Sequence, residues 1–146
     1  MRSQLARTFN SAILTHLHPR SEITMSLHIL SQDGGVLAAC INACTLALID
    51  AGVPMSDYVV AMSAGCFTKE PLLDVNGIEE NELPMLTVAT LGATEKVTLI
   101  QMESKVHVDV MESMLAVAVD GCAKMREMLD TVVRSHGNEV ARSGAL

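Results

Sequence analysis

The chain has 146 residues and a formal net charge of −7, and 49% of its residues are apolar. That apolar fraction is too high for a disordered chain and suffices for the hydrophobic core of one domain. The acidic balance and the 2% aromatic content argue against a self-sufficient nucleic-acid binder, which needs clustered cations or stacking side chains. No apolar run reaches the about 18 residues of a membrane-spanning helix, so no membrane contact is predicted.

The four cysteines are predicted to be reduced thiols in the core rather than metal ligands. None belongs to a C-x-x-C pair, and Cys40 and Cys44 lie one helical turn apart in an apolar stretch. Buried cysteine packs like a small apolar residue, and free thiols indicate a reducing compartment. The five histidines also lack convincing metal-ligand spacing. We therefore expect neither a metal site nor a cofactor.

The first half of the chain is predicted to hold two helices with a strand between them. Apolar residues at helical spacing predict a helix over residues 4–17, which ends before Pro19 because proline disfavours helix in the residue ahead of it. Residues 22–30 alternate between apolar and polar side chains, which is typical of a half-buried strand. After an Asp-Gly-Gly turn, residues 36–50 are apolar nearly all round, which predicts a central helix.

The second half is predicted to hold three strands and a long helix. The strands are expected at residues 57–66, 84–91 and 95–103, the last two forming a hairpin through the turn Gly92-Ala93-Thr94. An apolar stripe spaced alternately by four and three residues predicts a helix over 108–135. We expect this stripe to pack on a sheet, with a coiled-coil seam as the alternative.

These elements predict an α/β fold, more specifically an α+β sandwich with helices packed on a mixed sheet. One domain is expected over residues 1–136, followed by a flexible polar tail at 137–146. No strand precedes the first helix, so the strand at 22–30 would lack a neighbour on one side. We therefore expect the domain to be a partial one, truncated at its N-terminus.

Several motifs in order carry a resemblance to a known family. They are AILT at 12–15, HPRS at 18–21, DGG at 33–35, AACINA at 38–43, LALIDAGVPM at 46–55, and LLDVN at 72–76 followed by Glu79 and Glu80. Each motif alone is weak, but the ordered set covers nearly the whole chain and is highly specific. The chain resembles the RNase PH family, and in particular the C-terminal part of the eukaryotic exosome ring subunit whose archaeal counterpart carries the phosphorolytic active site.

The resemblance implies an RNase PH-like domain that assembles with five related chains into a ring through which RNA is threaded. The implied partners are other RNase PH-like ring subunits, cap subunits and RNA. The implied location is the nucleus and nucleolus, and also the cytoplasm. In active relatives, inorganic phosphate attacks the last RNA linkage and releases a nucleoside diphosphate.

The phosphate-binding turn of active relatives is degenerate here. In those relatives a Gly-Gly pair is followed by a hydroxyl residue and an arginine, whereas Gly34 and Gly35 are followed by Val36 and Leu37. An arginine contributes a charge-assisted and often bidentate contact to phosphate. The glycine turn and the helix N-terminus remain, so weak anion binding stays open, with a turn kept only for folding as the alternative.

The candidate catalytic acids are Asp74 and Glu80, which the resemblance aligns with the paired aspartates of active relatives. Six residues separate them, so a turn or short helix would bring both to one pocket edge. Glutamate is one methylene longer than aspartate, and such displacements are costly in catalysis. The alternative is that Asp74, Glu79 and Glu80 are solvated acids of a loop and a helix start.

Two principal interpretations of the function remain open from the sequence. The favoured one is a catalytically inert, structural subunit of the exosome ring, supported by Val36, Leu37 and the acidic balance. The alternative is an active phosphorolytic 3′-to-5′ exoribonuclease, supported by Asp74 and the intact glycine pair. A fold relative with unrelated chemistry is a third class, since such folds host several activities.

Overall fold

The computed structural model describes residues 1–92 and 96–144. In chain order its elements are α1 (Arg2–Ala12), a 3-10 helix (Thr15–Leu17), α2 (Val36–Asp50), β1 (Val59–Phe67), β2 (Glu70–Leu73), α3 (Gly77–Glu82), β3 (Met85–Leu91), β4 (Val97–Met102) and α4 (Val108–Ser143).

The four strands form one sheet in the order β2-β1-β3-β4. Every neighbouring pair is antiparallel, so the prediction of a mixed sheet is wrong. Parallel neighbours need a crossover of a dozen or more residues, whereas hairpins reverse the chain. Only two residues join β1 to β2, and the linker between β3 and β4 is likewise too short for a crossover.

Helices cover both faces of the sheet, as the α+β sandwich requires. On one face α1 and α2 enclose a core that includes Phe9, Ile41 and Val59. On the other face α4 packs Met114 and Ala118 against β1 and β3. The sheet is therefore the middle layer, and the predicted fold class is confirmed apart from strand direction.

Helix α2 has the predicted bounds and is the central helix of its face. Its polar residues bind the backbone of β1: Asn42 exchanges two hydrogen bonds with Ala61, at 2.9 and 2.8 Å, and the Thr45 hydroxyl donates to the Val59 carbonyl at 2.6 Å. These bonds satisfy the part of β1 that β2 does not reach. The helix is nevertheless not buried all round, because a row of three alanines stays exposed: Ala39, Ala43 and Ala47.

The first helix is shorter than predicted. It ends at Ala12 because Ile13 is extended, with φ −75° and ψ 135°, and forms an isolated antiparallel bridge with Met55. The Leu14 N–H then donates to the Pro54 carbonyl at 3.0 Å. These tertiary hydrogen bonds replace the helical ones, and only the short 3-10 helix follows.

The predicted strand at residues 22–30 is wrong as an assignment of a paired strand. The chain from 21 to 32 contains no helix, turn or bend, but among the described residues it joins no β-ladder. Met25 packs against the core of α1 and α2, whereas Ile29 is 52% and Leu30 99% exposed. The alternation correctly indicated an inward face, but a strand also needs a neighbour to receive its hydrogen bonds. We refer to residues 22–30 as the extended segment.

Strand β2 and helix α3 were not predicted as separate elements. Strand β2 follows a two-residue turn in which Thr68 and Lys69 both have positive φ, at 48° and 79°. Such turns normally carry Gly or Asn, so Thr68 and Lys69 are not a recognisable hairpin signal. The predicted hairpin of β3 and β4 is confirmed by their antiparallel pairing, although Ala93 and Thr94 of its turn lie outside the described residues.

The long stripe of α4 packs on the sheet rather than forming a coiled-coil seam. Ala118, Cys122 and Leu129 of the stripe are buried, whereas Met111 and Val132 near its ends are exposed. The helix continues through Gly137 to Ser143, beyond the predicted start of the polar tail. The tail's predicted flexibility stays a prediction, and its residues 145–146 lie outside the described part of the chain.

Candidate functional site

The glycine turn forms the N-terminal boundary of α2. Gly34 and Gly35 both have positive φ, at 84° and 58°, and Gly35 is the N-cap of α2. Among the described residues, no side chain caps the helix. The first backbone N–H groups of an α-helix lack partners within the helix and favour anions. Anion binding at this turn stays a prediction.

The side chains that follow the turn do not add polar groups to it. Val36 and Leu37 are partly buried and pack against the core of α1 and α2. They present methyl groups where the resemblance expects a hydroxyl and a guanidinium. These two positions therefore contribute to packing, and the degeneracy of the turn as a phosphate site stays a prediction.

The acidic loop runs between β2 and α3 and begins at Asp74. Asp74 has a positive φ of 58°, and its N–H donates to the Ser63 carbonyl at 2.9 Å. Asn76 caps α3 by accepting from the N–H groups of Ile78 and Glu79, both at 3.0 Å, while the Glu79 carboxylate accepts from the Asn76 N–H at 2.9 Å. This reciprocal capping box fixes the start of α3.

The glycine turn and the acidic loop interlock. A Cβ on Gly34 would lie 2.4 Å from the Val75 carbonyl oxygen, so the two backbones touch. The Gly77 N–H donates to the Asp33 carboxylate at 3.1 Å. A Cβ on Gly35 would lie 3.9 Å from Oδ1 of Asp74. The structure thus brings Gly34, Gly35 and Asp74 together.

Glu80 and Glu79 have different surroundings. Glu79 is an acid of the helix start, and its carboxylate is held by the capping box. Glu80 lies in the first turn of α3 and is half-buried, and in the described part of the chain its side chain makes no hydrogen bond or ion pair. Its pairing with Asp74 across a pocket edge stays a prediction.

Ser63 belongs to this site, and the sequence analysis missed it. Its side chain lies on β1 and is 1% exposed, and its hydroxyl has no hydrogen-bond partner among the described residues. The position of a Cβ on Gly35 would be 3.1 Å from that hydroxyl. A serine within the apolar run of residues 59–67 was the available signal, because such runs form buried strands and buried hydroxyls are normally paired.

The charge around the turn is negative. Between residues 33 and 37 and between residues 74 and 82 there is no lysine or arginine, but there are five carboxylates: Asp33, Asp74, Glu79, Glu80 and Glu82. The helix N-terminus favours an anion by about 0.3–1 kcal/mol when exposed. Nearby carboxylates act in the opposite direction, so this chain alone provides a poor site for phosphate.

The cysteines behave as core residues. All four are buried, and desolvation raises the pKa of the Cys122 thiol above its usual value. Burial, together with the neighbouring Cys40, likewise raises the pKa of the Cys44 thiol. A raised pKa disfavours the thiolate, which is the metal-binding form. Within residues 1–92 and 96–144 no group of three His, Cys, Asp or Glu is arranged to hold a metal ion.

No helix of the described chain combines the length of a membrane span with a sufficiently apolar composition.

The sequence matches two domains of one protein family. Residues 1–54 match "3′ exoribonuclease family, domain 1", and residues 57–121 match "3′ exoribonuclease family, domain 2". The glycine turn lies in the first match and Asp74 in the second. The interlocked site is therefore formed where the two matched parts meet.

Several curated relatives are similar over most of the chain. It is 45% identical over 130 residues to the exosome complex component ski6 of Schizosaccharomyces pombe, covering 89% of the chain and 54% of the relative. It is 44% identical over 141 residues to the exosome complex component RRP41 of Mus musculus, covering 96% and 58%. The chain thus spans little more than half the length of the curated relatives it matches.

Solved structures agree with the fold. The crystal structure of rice (Oryza sativa) Rrp46 superposes with a TM-score of 0.85 at 24% identity, covering 90% of this chain and 63% of that one. The Archaeoglobus fulgidus exosome with RNA bound to the active site superposes with a TM-score of 0.54 at 22% identity, covering 68% and 45%. At these identities the likeness concerns the fold alone. The two matched parts, residues 1–54 and 57–121, show that the chain belongs to the 3′ exoribonuclease family, the RNase PH family.

Proposed function

We propose that this chain is a non-catalytic, structural subunit of an RNA exosome ring. The observation that carries the proposal is the packing of Val36 and Leu37 into the core at the turn where active relatives are expected to bind phosphate. The relatives are exosome complex components, which supports placing this chain in an exosome ring. Proposed partners are other RNase PH-like ring subunits and cap subunits, with RNA threaded through the assembled ring.

The absence of a guanidinium at the described turn supports a non-catalytic role. Phosphorolysis needs donors that hold the attacking phosphate and an acid or metal that assists the leaving oxygen. Charge-assisted hydrogen bonds contribute about 1.5–3 kcal/mol each, and the turn offers backbone N–H groups but no guanidinium. The five carboxylates nearby oppose phosphate further. The chain would then support RNA processing and degradation by shaping the ring, in the nucleus, the nucleolus and the cytoplasm.

An active phosphorolytic exoribonuclease is the second candidate. The observation in its favour is the closeness of Asp74 to Gly35, which is the arrangement that an acid beside a phosphate would need. Under this alternative the other ring chains supply the missing cations, because this chain has none at the turn.

The distinguishing experiment measures release of nucleoside diphosphate from RNA with and without inorganic phosphate. The chain is assayed alone and after reconstitution with RNase PH-like ring partners. We expect it to enter the ring and to give no phosphate-dependent release, and we expect Asp74→Asn to leave the assay unchanged. Phosphate-dependent release that Asp74→Asn abolishes would establish the enzyme instead, and failure to enter the ring would refute the structural role.

A gain-of-function variant sharpens the test. Val36→Ser combined with Leu37→Arg restores the hydroxyl and the guanidinium. Phosphate affinity should then rise by roughly 10- to 100-fold, the equivalent of one charge-assisted contact, as measured by calorimetry. Turnover should rise less, because Glu80 is not placed by any described hydrogen bond. Val36→Thr with Leu37→Met, which adds a hydroxyl without a charge, is the control.

A further inference from the structure

Asn76 and Gly77 form an asparagine–glycine pair at the start of α3. Asn76 is the only asparagine in the sequence that glycine follows. An asparagine side chain is open to attack by the backbone nitrogen of the next residue, and glycine, which has no Cβ, hinders that attack least. Asparagine counts among the thermolabile residues. Because the side chain of Asn76 is exposed, water can reach the product of such an attack.

Hydrogen bonds hold both of the groups that would have to react. The Asn76 side-chain oxygen accepts from the N–H groups of Ile78 and Glu79, both at 3.0 Å, so the carboxamide is engaged in capping α3. The Gly77 nitrogen would be the nucleophile, but its N–H donates to the Asp33 carboxylate at 3.1 Å. This nitrogen attacks only after losing its proton, and a neighbouring negative charge disfavours the anion that results.

The backbone on the other side of Asn76 is also fixed. A Cβ on Gly34 would lie 2.7 Å from the carbonyl carbon of Asn76 and 3.0 Å from its Cα, so the glycine turn touches this residue directly. Ring closure needs the carboxamide to leave its capping bonds and turn towards the Gly77 nitrogen. The contacts between the glycine turn and the acidic loop, which we call the interlock, oppose that movement.

We propose that Asn76 is a site of spontaneous deamidation that the interlock protects, so that the reaction proceeds only from an opened state of the loop. The Gly77 nitrogen bonds to Cγ of Asn76, and the side-chain nitrogen leaves as ammonia with the proton that Gly77 loses. The cyclic imide then takes up water and opens to aspartate or to isoaspartate. Local opening of this kind has its own free energy, which lies below that of global unfolding.

The two products have different consequences for the candidate site. Aspartate keeps the side-chain oxygen and can still cap α3, because Asp and Asn are equivalent N-caps. In isoaspartate the main chain runs through the former side chain, which lengthens the loop by one methylene. The lengthened loop no longer matches Gly34, whose backbone touches Val75 and Asn76. Isoaspartate would therefore hold the acidic loop, including Asp74, away from the glycine turn.

Mass spectrometry of proteolytic peptides measures the loss of ammonia at Asn76. The chain is incubated at neutral pH in its native state and, in parallel, unfolded in guanidinium chloride. We expect the native chain to react at Asn76 more slowly by roughly tenfold or more, the equivalent of one charge-assisted hydrogen bond. Asn138, which is exposed on α4 and followed by glutamate, is the internal reference. In the unfolded chain it should react more slowly than Asn76.

Two substitutions test whether the interlock is what protects Asn76. Asp33→Ala removes the acceptor of the Gly77 N–H and should accelerate the native reaction by roughly 3- to 10-fold. Asp120→Ala, which removes an exposed carboxylate of α4, is the matched control and should leave the rate unchanged. Glu79→Gln weakens the capping box without removing a packed group, and it answers the same question should Asp33→Ala prevent folding. The rates in guanidinium chloride should be equal for all variants.

A comparison of the two products tests the structural consequence. Freshly prepared Asn76→Asp reproduces the aspartate product and should unfold at the same urea concentration as the unmodified chain. The isoaspartate fraction, separated by ion-exchange chromatography, should unfold at a lower one. Equal native and unfolded rates at Asn76, a reaction in the unfolded chain no faster than at Asn138, no acceleration by either Asp33→Ala or Glu79→Gln, or an isoaspartate chain as stable as the unmodified one overturns the proposal.

Discussion

The glycine turn and the extended segment adjoin in the sequence, but they differ in the number of contacts and hydrogen bonds that hold their backbones. The turn at residues 33–35 is fixed by contacts with the Val75 carbonyl, by the Gly77 N–H and by the capping box of α3. The extended segment, which leads directly into it, rests on α1 and α2 through one face and has no hydrogen-bonded neighbour among the described strands. Backbone geometry is determined where independent contacts converge, and an amphipathic pattern alone does not supply them.

The largest effect expected from this comparison is that of Gly34→Ala. The residue has φ 84°, and an added Cβ would lie 2.4 Å from a backbone oxygen that the interlocked loop cannot easily move. We expect the free energy of unfolding to fall by roughly 3–5 kcal/mol, the range of the most disruptive substitutions. Gly52→Ala is the control, since Gly52 also has a positive φ of 67° but has nothing within 4 Å of its Cβ position. It should lose only about 1 kcal/mol, as measured by urea unfolding, and equal losses would contradict the interlock.

The next largest effect is the difference in the free energy of unfolding between truncating a buried and an exposed apolar side chain. Met114 of α4 is 0% exposed, and Met114→Ala should cost about 2–5 kcal/mol through lost burial and a cavity. Leu30 is 99% exposed, and Leu30→Ala should change the free energy of unfolding by no more than about 0.5 kcal/mol. Chemical denaturation at a concentration where the protein is monomeric measures both. A large loss for Leu30→Ala would show that the extended segment is packed after all.

The smallest effect concerns the orphan hydroxyl at the site. Ser63→Ala should be neutral or should stabilise the protein by up to about 1 kcal/mol, because the buried hydroxyl has no described partner to lose. Thr45→Val is the matched control: it removes a hydroxyl that bonds the Val59 carbonyl at 2.6 Å and should cost about 1–2 kcal/mol. If Ser63→Ala destabilised the protein as much as Thr45→Val, the hydroxyl would have to be bonded in solution.

The sequence predicted elements well where a strong local signal was sufficient. The bounds of α2 follow from the Asp-Gly-Gly turn and the apolar run after it, the α4 stripe follows from helical spacing, and the β3–β4 pair follows from two apolar runs joined by a short turn. It failed where hydrogen bonds between distant residues decide the outcome. The end of α1 depends on Met55 and Pro54, which lie some 40 residues further along the chain, and no local pattern carries that information.

At the candidate site, too, residues in motifs were predicted, and residues whose role depends on contacts in the fold were not. Gly34, Gly35 and Asp74 were identified through motifs, and the structure brings them together. The capping role of Glu79 was not anticipated, although Asn76 three residues before it is a recognisable cap signal. Ser63 was passed over because its significance depends on the missing hydrogen bond rather than on its neighbours in the sequence.

The close contact of Gly34 with the loop from Val75 to Gly77 has a consequence for how such chains are classified. Any side chain at Gly34 would collide with Val75 and Asn76 whether or not phosphate is ever bound. Natural selection would therefore preserve the glycine in inert and active chains alike. Under the proposed function, a survey that counts the glycine pair as a mark of activity would wrongly include this chain among the enzymes. Val36 and Leu37, the two residues after the pair, would then carry the distinguishing information.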